Sequence, residues 1–293
     1  MHIALLGFGL IGGSIARALA ADRDADRDAG TGHRVVAWTP GGVGPRRALA
    51  DGVIDGVAGD PGTAVTGADL VVLAAPPLAC AELLRRLGAD LRPSLGSRAT
   101  VTDVASTKSL LVRTARDAGV PYVGGHPMAG RETSGYASAD ASLFRDRPWV
   151  VTEPVADGDA GRVRALALAC GGRPVEMEAV RHDRLVAAIS HLPLLLSVAL
   201  VEAVAGTPGA PVEDWPEAAA LAASGWRDTT RLARGDVTMG TEIAVTNAEA
   251  LSVRLHAYRD RLDEWLEILE TPGGPDPEAV RERLAGARSR LEG

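Results

Sequence analysis

The chain up to about residue 178 alternates short apolar runs with longer stretches that have helical spacing. The apolar runs are continuous, as in strands that are buried on both faces of a parallel sheet. This alternation of strand and helix predicts an α/β fold with a doubly wound, mainly parallel sheet. The predicted strands are His2–Leu6, Arg34–Trp38, Leu70–Ala74, Ala99–Asp103, Tyr122–Gly124, Trp149–Thr152 and Pro174–Met177.

The pattern changes after about Val180, where strand-like runs end and long Ala-, Leu-, Arg- and Glu-rich stretches begin. We therefore predict an α/β domain over residues 1–178 and an all-helical domain over residues 179–293. Pro193 is expected to bend the first predicted helix. The predicted helices of this second domain are His182–Ala205, Trp215–Leu232, Val237–Leu269 and Pro277–Leu291.

The helix predicted over Val237–Leu269 is much longer than the mean of about 11 to 12 residues. So long a helix in a small domain indicates a subunit interface, and we predict a homodimer. Its apolar residues Ile243, Val245, Leu251 and Leu255 are expected to face the partner subunit.

Composition narrows the range of partners. Lys and Arg total 31 against 38 Asp and Glu, and the net charge of −7 leaves no broad basic field for a nucleic acid. Cys80 and Cys170 form neither a disulfide framework nor a zinc cluster, so we predict no metal site and a reducing, cytoplasmic location. The longest apolar run, around Leu192–Val201, is shorter than the roughly 20 residues of a membrane span. The charged, Gly-rich segment Asp22–Gly32 is predicted to be an exposed loop.

The first predicted strand is followed directly by Gly7-Phe8-Gly9-Leu10-Ile11-Gly12, and a helix is predicted from about Ser14. A GxGxxG motif between strand and helix binds a dinucleotide: its glycines make the tight turn, admit the pyrophosphate and let the helix pack on the strand. The motif therefore predicts a Rossmann-type domain. Ala75 and Pro76, after the third predicted strand, are expected to contact the cofactor as well.

The end of the second predicted strand bears on the choice of cofactor. It reads Trp38-Thr39-Pro40, without the Asp or Glu that bonds the ribose 2′-hydroxyl in NAD enzymes. Arg46 and Arg47 follow, and two guanidinium groups can hold a 2′-phosphate. We therefore predict NADP in preference to NAD, with Thr39, Arg46 and Arg47 close to the ribose. Alternatively, both arginines begin a solvated helix face and either cofactor is accepted.

Two segments with candidate chemistry, Thr102–Lys108 and Gly124–Glu132, follow predicted parallel strands. Ligands of open α/β sheets lie outside the carboxyl ends of such strands. Ser106 and His126 are therefore expected to flank the nicotinamide.

A third segment, Gly225–Arg231, lies in the helical domain. Arg227 and Arg231 are four residues apart on a predicted helix, so they would share a face. Such a face suits the binding of carboxylates.

These motifs together resemble the prephenate/arogenate dehydrogenase family of tyrosine biosynthesis. The resemblance implies oxidative decarboxylation of prephenate to 4-hydroxyphenylpyruvate, or of arogenate to tyrosine, with hydride transfer to NAD(P). The matching pieces span nearly the whole chain and come in family order. They are Gly7–Ser14, Asp103–Lys108, Gly125–Gly130, His182-Asp183, Ser190–Pro193 and Arg227–Arg231.

The resemblance also implies roles for individual residues. His126 matches the catalytic histidine of the family, and Ser106 matches a serine that hydrogen-bonds the substrate and that histidine. Arg231 matches the arginine that binds a substrate carboxylate. Glu132 matches an acidic residue at the mouth of the site.

Two departures from the family pattern concern the substrate. Many members that use prephenate read His-Leu-Pro-His where this chain reads His191-Leu192-Pro193-Leu194, which leaves arogenate open. Arg227 stands where some members have Lys, which keeps the charge and changes its geometry. His191 is predicted either to contact the substrate or to be a buried structural histidine, and His182-Asp183 to begin a helix.

The implied chemistry explains these residue types. The substrate is a cyclohexadienol whose ring carbon carries both a hydroxyl and the hydride to be transferred, with a carboxylate on the opposite ring carbon. A base must take the hydroxyl proton as the hydride leaves, and a neutral imidazole suits that task near pH 7. Carbon dioxide then leaves because the ring becomes aromatic.

Two alternatives belong to other classes. Another NADP-dependent hydroxyacid dehydrogenase would place a catalytic Lys in the helical domain, whereas the single Lys of this sequence, Lys108, lies in the first domain. A non-catalytic NADP-binding sensor would need the glycine motif but not His126 with Arg231. Because the other 30 basic residues are Arg, we predict that Lys108 pairs with Asp103 or Glu132 and holds the loop of Ser106; chance survival of one codon is the alternative.

Overall fold

The computed structural model describes residues 1–25, 32–131 and 133–292, without the side chains of residues 23–25. Most of the predicted loop Asp22–Gly32, and Glu132, lie outside the described residues. The chain divides into two compact units, Met1–Ala248 and Glu249–Gly293.

A sheet of five parallel strands forms the centre of the first unit, in the order β3-β2-β1-β4-β5. The order reverses between β1 and β4, so a ligand crevice is expected outside the carboxyl ends of these two strands. This confirms the predicted fold class. The short strand β3 was missed because two residues are too few to show a pattern. The strands are β1 His2–Leu6, β2 Arg34–Trp38, β3 Gly56–Val57, β4 Leu70–Leu73 and β5 Thr100–Asp103.

Alternate residues of the central strands pack into two separate hydrophobic clusters. Ala4 and Leu6 belong to one cluster, whereas Ile3 and Leu5 belong to the other. Both faces of the sheet are therefore buried, as the continuous apolar runs indicate. Helices that follow the strands cover the two faces. They are α1 Leu10–Ala25, α2 Val43–Ala50, α3 Pro61–Val65, α4 Pro77–Gly88, α5 Ser109–Asp117 and α6 Ala160–Ala169.

A second sheet has three strands, β6 Gly125–Pro127, β7 Pro148–Val151 and β8 Arg173–Glu176, and β6 runs antiparallel to β7. The predicted strand Tyr122–Gly124 is wrong: Tyr122 forms only isolated bridges, and the strand begins at Gly125. Because glycine has a low strand propensity, the Gly-rich sequence hid this strand. His126 therefore lies within a strand, paired with Val150, and not in a loop after one.

The chain after β8 is helical, apart from a small hairpin of β9 Gly206–Thr207 and β10 Ala210–Pro211. One continuous helical run, Ala179–Ala205, contains a π-helical turn at Ala187–His191. The turn ends two residues before Pro193, which has no N–H and disrupts regular helical bonding. The remaining helices are α7 Ala179–Val186, α8 Leu192–Ala205, α9 Trp215–Leu221, α10 Ser224–Thr229, α11 Val237–Thr246, α12 Ala248–Leu269 and α13 Pro277–Glu292.

The run Ala179–Ala205 is long and apolar enough to cross a membrane by length and composition, and 22% of its most apolar window is buried within the chain. Core helices meet the same criterion, so it is weak evidence for a membrane. This run also carries the buried polar residues His182, Asp183 and His191.

Two predicted helices are each broken into shorter pieces. The stretch Trp215–Leu232 forms α9, α10 and a 3₁₀ turn at Arg231–Arg234, because Ala222 and Ala223 adopt extended backbone conformations. The stretch Val237–Leu269 breaks at Asn247, which separates α11 from α12.

Candidate active site

The glycine motif lies at the carboxyl end of β1. Gly7 has a φ of +104°, and a Cβ atom there would come within 2.2 Å of the carbonyl oxygen of Ala74. A Cβ atom at Gly12 would lie 2.6 Å from the carbonyl oxygen of Gly7. Nothing lies within 4 Å of a Cβ atom at Gly9, so the backbone is open there at the start of α1. This geometry fits a pyrophosphate at a helix N-terminus.

Other predicted cofactor residues lie at the same edge of the sheet. Ala75 and Pro76 follow the end of β4 after one intervening residue, and Thr39 directly follows β2. The ring of Phe8 packs in the core against Tyr136, with 5.4 Å between ring centroids. Because the Phe8 ring is in the core, we expect only the backbone of Phe8 to contact a cofactor.

The two arginines predicted to bind a 2′-phosphate are both exposed on α2. The Nη2 atom of Arg46 donates to the carbonyl oxygen of Gly41 at 2.8 Å. This bond holds the Arg46 guanidinium over the loop that follows β2, where the adenosine ribose of a dinucleotide is expected.

His126 is partly buried and meets a second imidazole. Its Nδ1 atom lies 2.8 Å from Nε2 of His182, and the two rings are nearly perpendicular with centroids 5.0 Å apart. Burial, followed by the neighbouring His182, Lys108 and His191, holds the pKa of His126 well below its usual value of 6.5. His126 is therefore a neutral imidazole at neutral pH.

Lys108 lies in a fully buried polar cluster next to His126. Its ammonium pairs with Asp103 and donates to the carbonyl oxygen of Gly125 at 2.6 Å. The Tyr122 hydroxyl donates to the other oxygen of Asp103, and both side chains are completely buried. Of the two predicted partners of Lys108, the structure thus shows Asp103. The cluster fixes the backbone of the residue directly before His126.

His182 and Asp183 lie in α7, which begins at Ala179, so the prediction that they start a helix is wrong. Nδ1 of His182 lies 2.8 Å from Oδ1 of Asp183. The carboxylate also accepts the backbone N–H groups of Lys108 and Ser109 at 2.8 Å each, at the start of α5. Burial would raise the pKa of Asp183, but these hydrogen bonds outweigh it and lower the pKa.

His191 is 1% exposed and bonds to Asn247. The Asn247 amide lies 3.0 Å from Nδ1 of His191 and donates to the carbonyl oxygen of Asp183 at 2.9 Å. Burial lowers the pKa of His191 to about 4, although Asp183 opposes this shift. His191 is thus a buried, hydrogen-bonded histidine close to the His126 cluster.

The remaining predicted site residues are placed less closely together. Ser106 is partly buried in the loop between β5 and α5. Arg227 and Arg231 are exposed, but Arg227 lies in α10 whereas Arg231 begins the 3₁₀ turn. The expectation of one shared helix face is therefore wrong. Glu132 lies outside the described residues.

Sequence reasoning underestimated three polar residues around His126. His182, Asp183 and Asn247 are all less than 6% exposed, and each bonds to another residue of this cluster. The sequence offers little signal for them, because His182 and Asp183 stand between Arg181 and Arg184 and look like part of a solvated polar run. Asn247 lies at the break between α11 and α12, which the apolar pattern did not show.

A sheet with a dinucleotide-binding glycine turn, next to a partly buried neutral imidazole, fits an oxidoreductase that uses a nicotinamide cofactor. The sequence comparisons identify its family. Residues 26–173 match the family described as prephenate dehydrogenase, nucleotide-binding domain, and residues 178–284 match prephenate dehydrogenase, dimerization domain. The chain therefore belongs to the prephenate dehydrogenase family.

Individual relatives agree with this assignment. The prephenate dehydrogenase of Lactococcus lactis is 30% identical over 267 residues, covering 89% of this chain and 69% of that protein. The crystal structure of Synechocystis arogenate dehydrogenase matches at 30% identity with a TM-score of 0.77, covering 99% of this chain and 100% of that one. Prephenate dehydrogenase from A. aeolicus, in complex with hydroxyphenyl propionate and NAD⁺, matches at 25% identity with a TM-score of 0.81, covering 100% and 98%.

Proposed function

We propose that this chain catalyses the oxidative decarboxylation of a cyclohexadienol, prephenate or arogenate, with hydride transfer to NAD(P). The observation that carries the proposal is His126, a partly buried imidazole whose preceding residue, Gly125, bonds Asp103 at the carboxyl end of β5. Membership of the prephenate dehydrogenase family supports it.

In the proposed reaction, His126 is the base that takes the proton of the substrate hydroxyl. The C–H electron pair leaves the same carbon as hydride, for which the bound nicotinamide is the acceptor, and a ring ketone forms. The carbon–carbon bond to the ring carboxylate then breaks, and its electrons make the ring aromatic. The resulting phenolate oxygen takes the proton back from His126, so the step consumes no net proton.

Positive side chains are proposed to hold the substrate. Arg231 binds one carboxylate, Arg227 adds charge nearby, and Ser106 hydrogen-bonds the substrate hydroxyl. Glu132 and His191 are proposed as further substrate-binding residues. Charge-assisted hydrogen bonds to carboxylates orient the ring for hydride transfer.

The proposal is tested by absorbance at 340 nm, with prephenate and arogenate each assayed against NAD and NADP. Formation of the reduced nicotinamide with at least one substrate is the expected result. His126→Asn, assayed in parallel, separates enzyme turnover from background reduction. Cofactor binding without turnover of either substrate would indicate a non-catalytic nucleotide-binding protein.

The preference between the two substrates remains part of the same test. Prephenate carries a keto acid side chain and arogenate an amino acid side chain, so a site selects between them through the groups around that chain. Leu194 stands where many prephenate-using members have a histidine, so arogenate is as good a candidate substrate as prephenate. The ratio of kcat/KM for the two substrates gives the preference.

We also propose that NADP is the preferred cofactor. Arg46 is held over the loop after β2, and no carboxylate stands in Trp38-Thr39-Pro40 to repel a 2′-phosphate. Arg46→Ala should raise the KM for NADP roughly 10-fold or more while leaving that for NAD nearly unchanged, because a charge-assisted bond contributes about 1.5–3 kcal/mol. Arg85→Ala removes an exposed arginine of α4 that is not a predicted cofactor residue, and it is the matched control. An equal change with both cofactors after Arg46→Ala would contradict this preference.

The proposed working form is a cytoplasmic homodimer. The match of residues 178–284 to a dimerization domain supports the dimer. Both cysteines, Cys80 and Cys170, are free thiols, which fits a reducing cytoplasm.

A further inference from the structure

The His126 cluster constrains where the protons lie. Asp183 accepts backbone N–H groups on both of its oxygens, from Lys108 on Oδ1 and from Ser109 on Oδ2. A carboxylate in this position is an acceptor only. The Nδ1 atom of His182, 2.8 Å from Oδ1, must therefore carry a proton and donate it.

The position of the proton on His182 determines the position of the proton on His126. Where His182 carries this one ring proton, its lone pair is on Nε2. That atom lies 2.8 Å from Nδ1 of His126, so His126 must be the donor in this bond. Neutral His126 then carries its proton on Nδ1 and its lone pair on Nε2.

The other charged and titratable neighbours do not compete for Nδ1 of His126. The Lys108 ammonium is engaged by Asp103 and the Gly125 carbonyl oxygen. His191 is engaged through Nδ1 by Asn247.

We propose that His182 and Asp183 are positioning residues that hold His126 in the Nδ1–H form, so that Nε2 is the atom that takes the substrate proton. In water a neutral histidine favours the opposite form, with the proton on Nε2. Without the pair, His126 would mostly present an N–H group where the reaction needs a lone pair. The tautomer can be tested independently, whereas its role in turnover rests on the proposed function.

The first experiment needs no variant of the pair. Histidine-selective ¹⁵N labelling of the full chain gives ring signals for six residues, and long-range ¹H–¹⁵N spectra at pH 7.5 distinguish the two tautomers. His126→Asn identifies the His126 signals. The expected pattern for His126 is a protonated Nδ1 and an unprotonated Nε2. The reverse pattern would overturn the proposal.

The second experiment measures the consequence for turnover. His182→Leu removes the acceptor, so kcat should fall about tenfold or more while the KM for substrate and the Kd for cofactor stay within about threefold. His182→Gln places a side-chain oxygen close to where Nε2 lay and should recover part of kcat together with the Nδ1–H pattern. His256→Leu removes an exposed histidine and is the control.

The outcomes separate the two claims. Wild-type kcat and an unchanged His126 tautomer in His182→Leu would overturn the positioning role. If the wild-type enzyme turns over neither substrate, the proposed function fails, and the wild-type spectrum still decides the tautomer. Should His182→Leu fold poorly, His182→Gln and the wild-type spectrum carry the test.

Discussion

In the proposed mechanism, the protonation state of a single residue, His126, decides whether the site has a base. Replacing it by asparagine keeps a polar side chain but removes the basic nitrogen. We expect His126→Asn to lower kcat about 100-fold or more, the usual contribution of general base catalysis. Cofactor affinity should be nearly unchanged, since the glycine motif is separate from this residue. Steady-state kinetics with a cofactor titration check both, and a variant with wild-type turnover would remove His126 from the mechanism.

Lys108 contributes to stability because it neutralises the buried carboxylate of Asp103. Lys108→Ala would strand Asp103 as a buried, unpaired carboxylate, which typically costs about 3–5 kcal/mol. Lys108→Arg keeps the charge, but its wider planar group does not fit a buried ammonium site, so we expect lower kcat and intermediate stability. Chemical unfolding of the three proteins gives the comparison. Equal free energies of unfolding for Lys108→Ala and wild type would contradict it.

The lowered pKa values of the partly buried His126 and the buried His191 predict how stability depends on pH. Burial lowers the pKa of both His126 and His191, in the latter case to about 4. Below pH 6.5 the unfolded chain binds protons at these sites while the folded chain does not, so the stability present at neutral pH declines as the pH falls toward 4. The decline is up to about 1.4 kcal/mol per pH unit for each group. Melting temperatures between pH 7.5 and 4.5 should fall accordingly; a constant value would exclude buried neutral histidines.

At the scale of the elements, the break between α11 and α12 coincides with the buried hydrogen bonds of Asn247. The helix breaks at Asn247, whose side chain bonds the Asp183 carbonyl oxygen and meets His191. Asn247→Ala would leave these buried groups unsatisfied, which costs about 1–3 kcal/mol. We expect a melting temperature lower by several degrees, measured against the exposed neighbour variant Glu249→Ala. Equal melting temperatures for the two variants would show that the Asn247 bonds add nothing.

The pattern of apolar residues along the sequence predicted those elements whose cause lies within a few neighbouring residues. The strands β1 and β2 and the glycine turn follow from apolar runs and steric limits that lie within a few residues. The break at Asn247 and the partnership of His126 with His182 depend on groups 56 positions or more apart in sequence. Contacts of this kind have no local signature, so reasoning from sequence extended Val237–Leu269 through the break and left His182 without a role.

The whole molecule presents an apolar stripe that predicts how it assembles. In α12, the side chains of Leu255, Tyr258, Leu262, Leu266 and Leu269 recur at helical spacing and are each at least 37% exposed. Ile243 and Leu251 are buried within the chain, at 6% and 2% exposure. The prediction that these two residues face a partner subunit is therefore wrong. A continuous exposed stripe of this kind is typical of an interface.

We expect light scattering to give twice the chain mass of 30.3 kDa. The double variant Leu262→Glu with Leu266→Glu places charges in the stripe and should shift the mass toward the monomer. His256→Glu on the same helix adds charge outside the stripe and should leave the mass unchanged. A wild-type mass of 30.3 kDa at micromolar concentration would contradict the dimer.

The burial of Lys108 affects how the protein reacts with amine-directed reagents. It is the single lysine of the sequence, and its side chain is completely enclosed. Acylating agents and amine-directed cross-linkers therefore find no lysine on the folded surface, and acetylation in a cell would meet the same barrier. Whenever Lys108 does react, the core around Asp103 must have opened. The rate at which the Lys108 amine is labelled therefore measures how often this buried polar cluster opens, and mass spectrometry can read it on the unaltered protein.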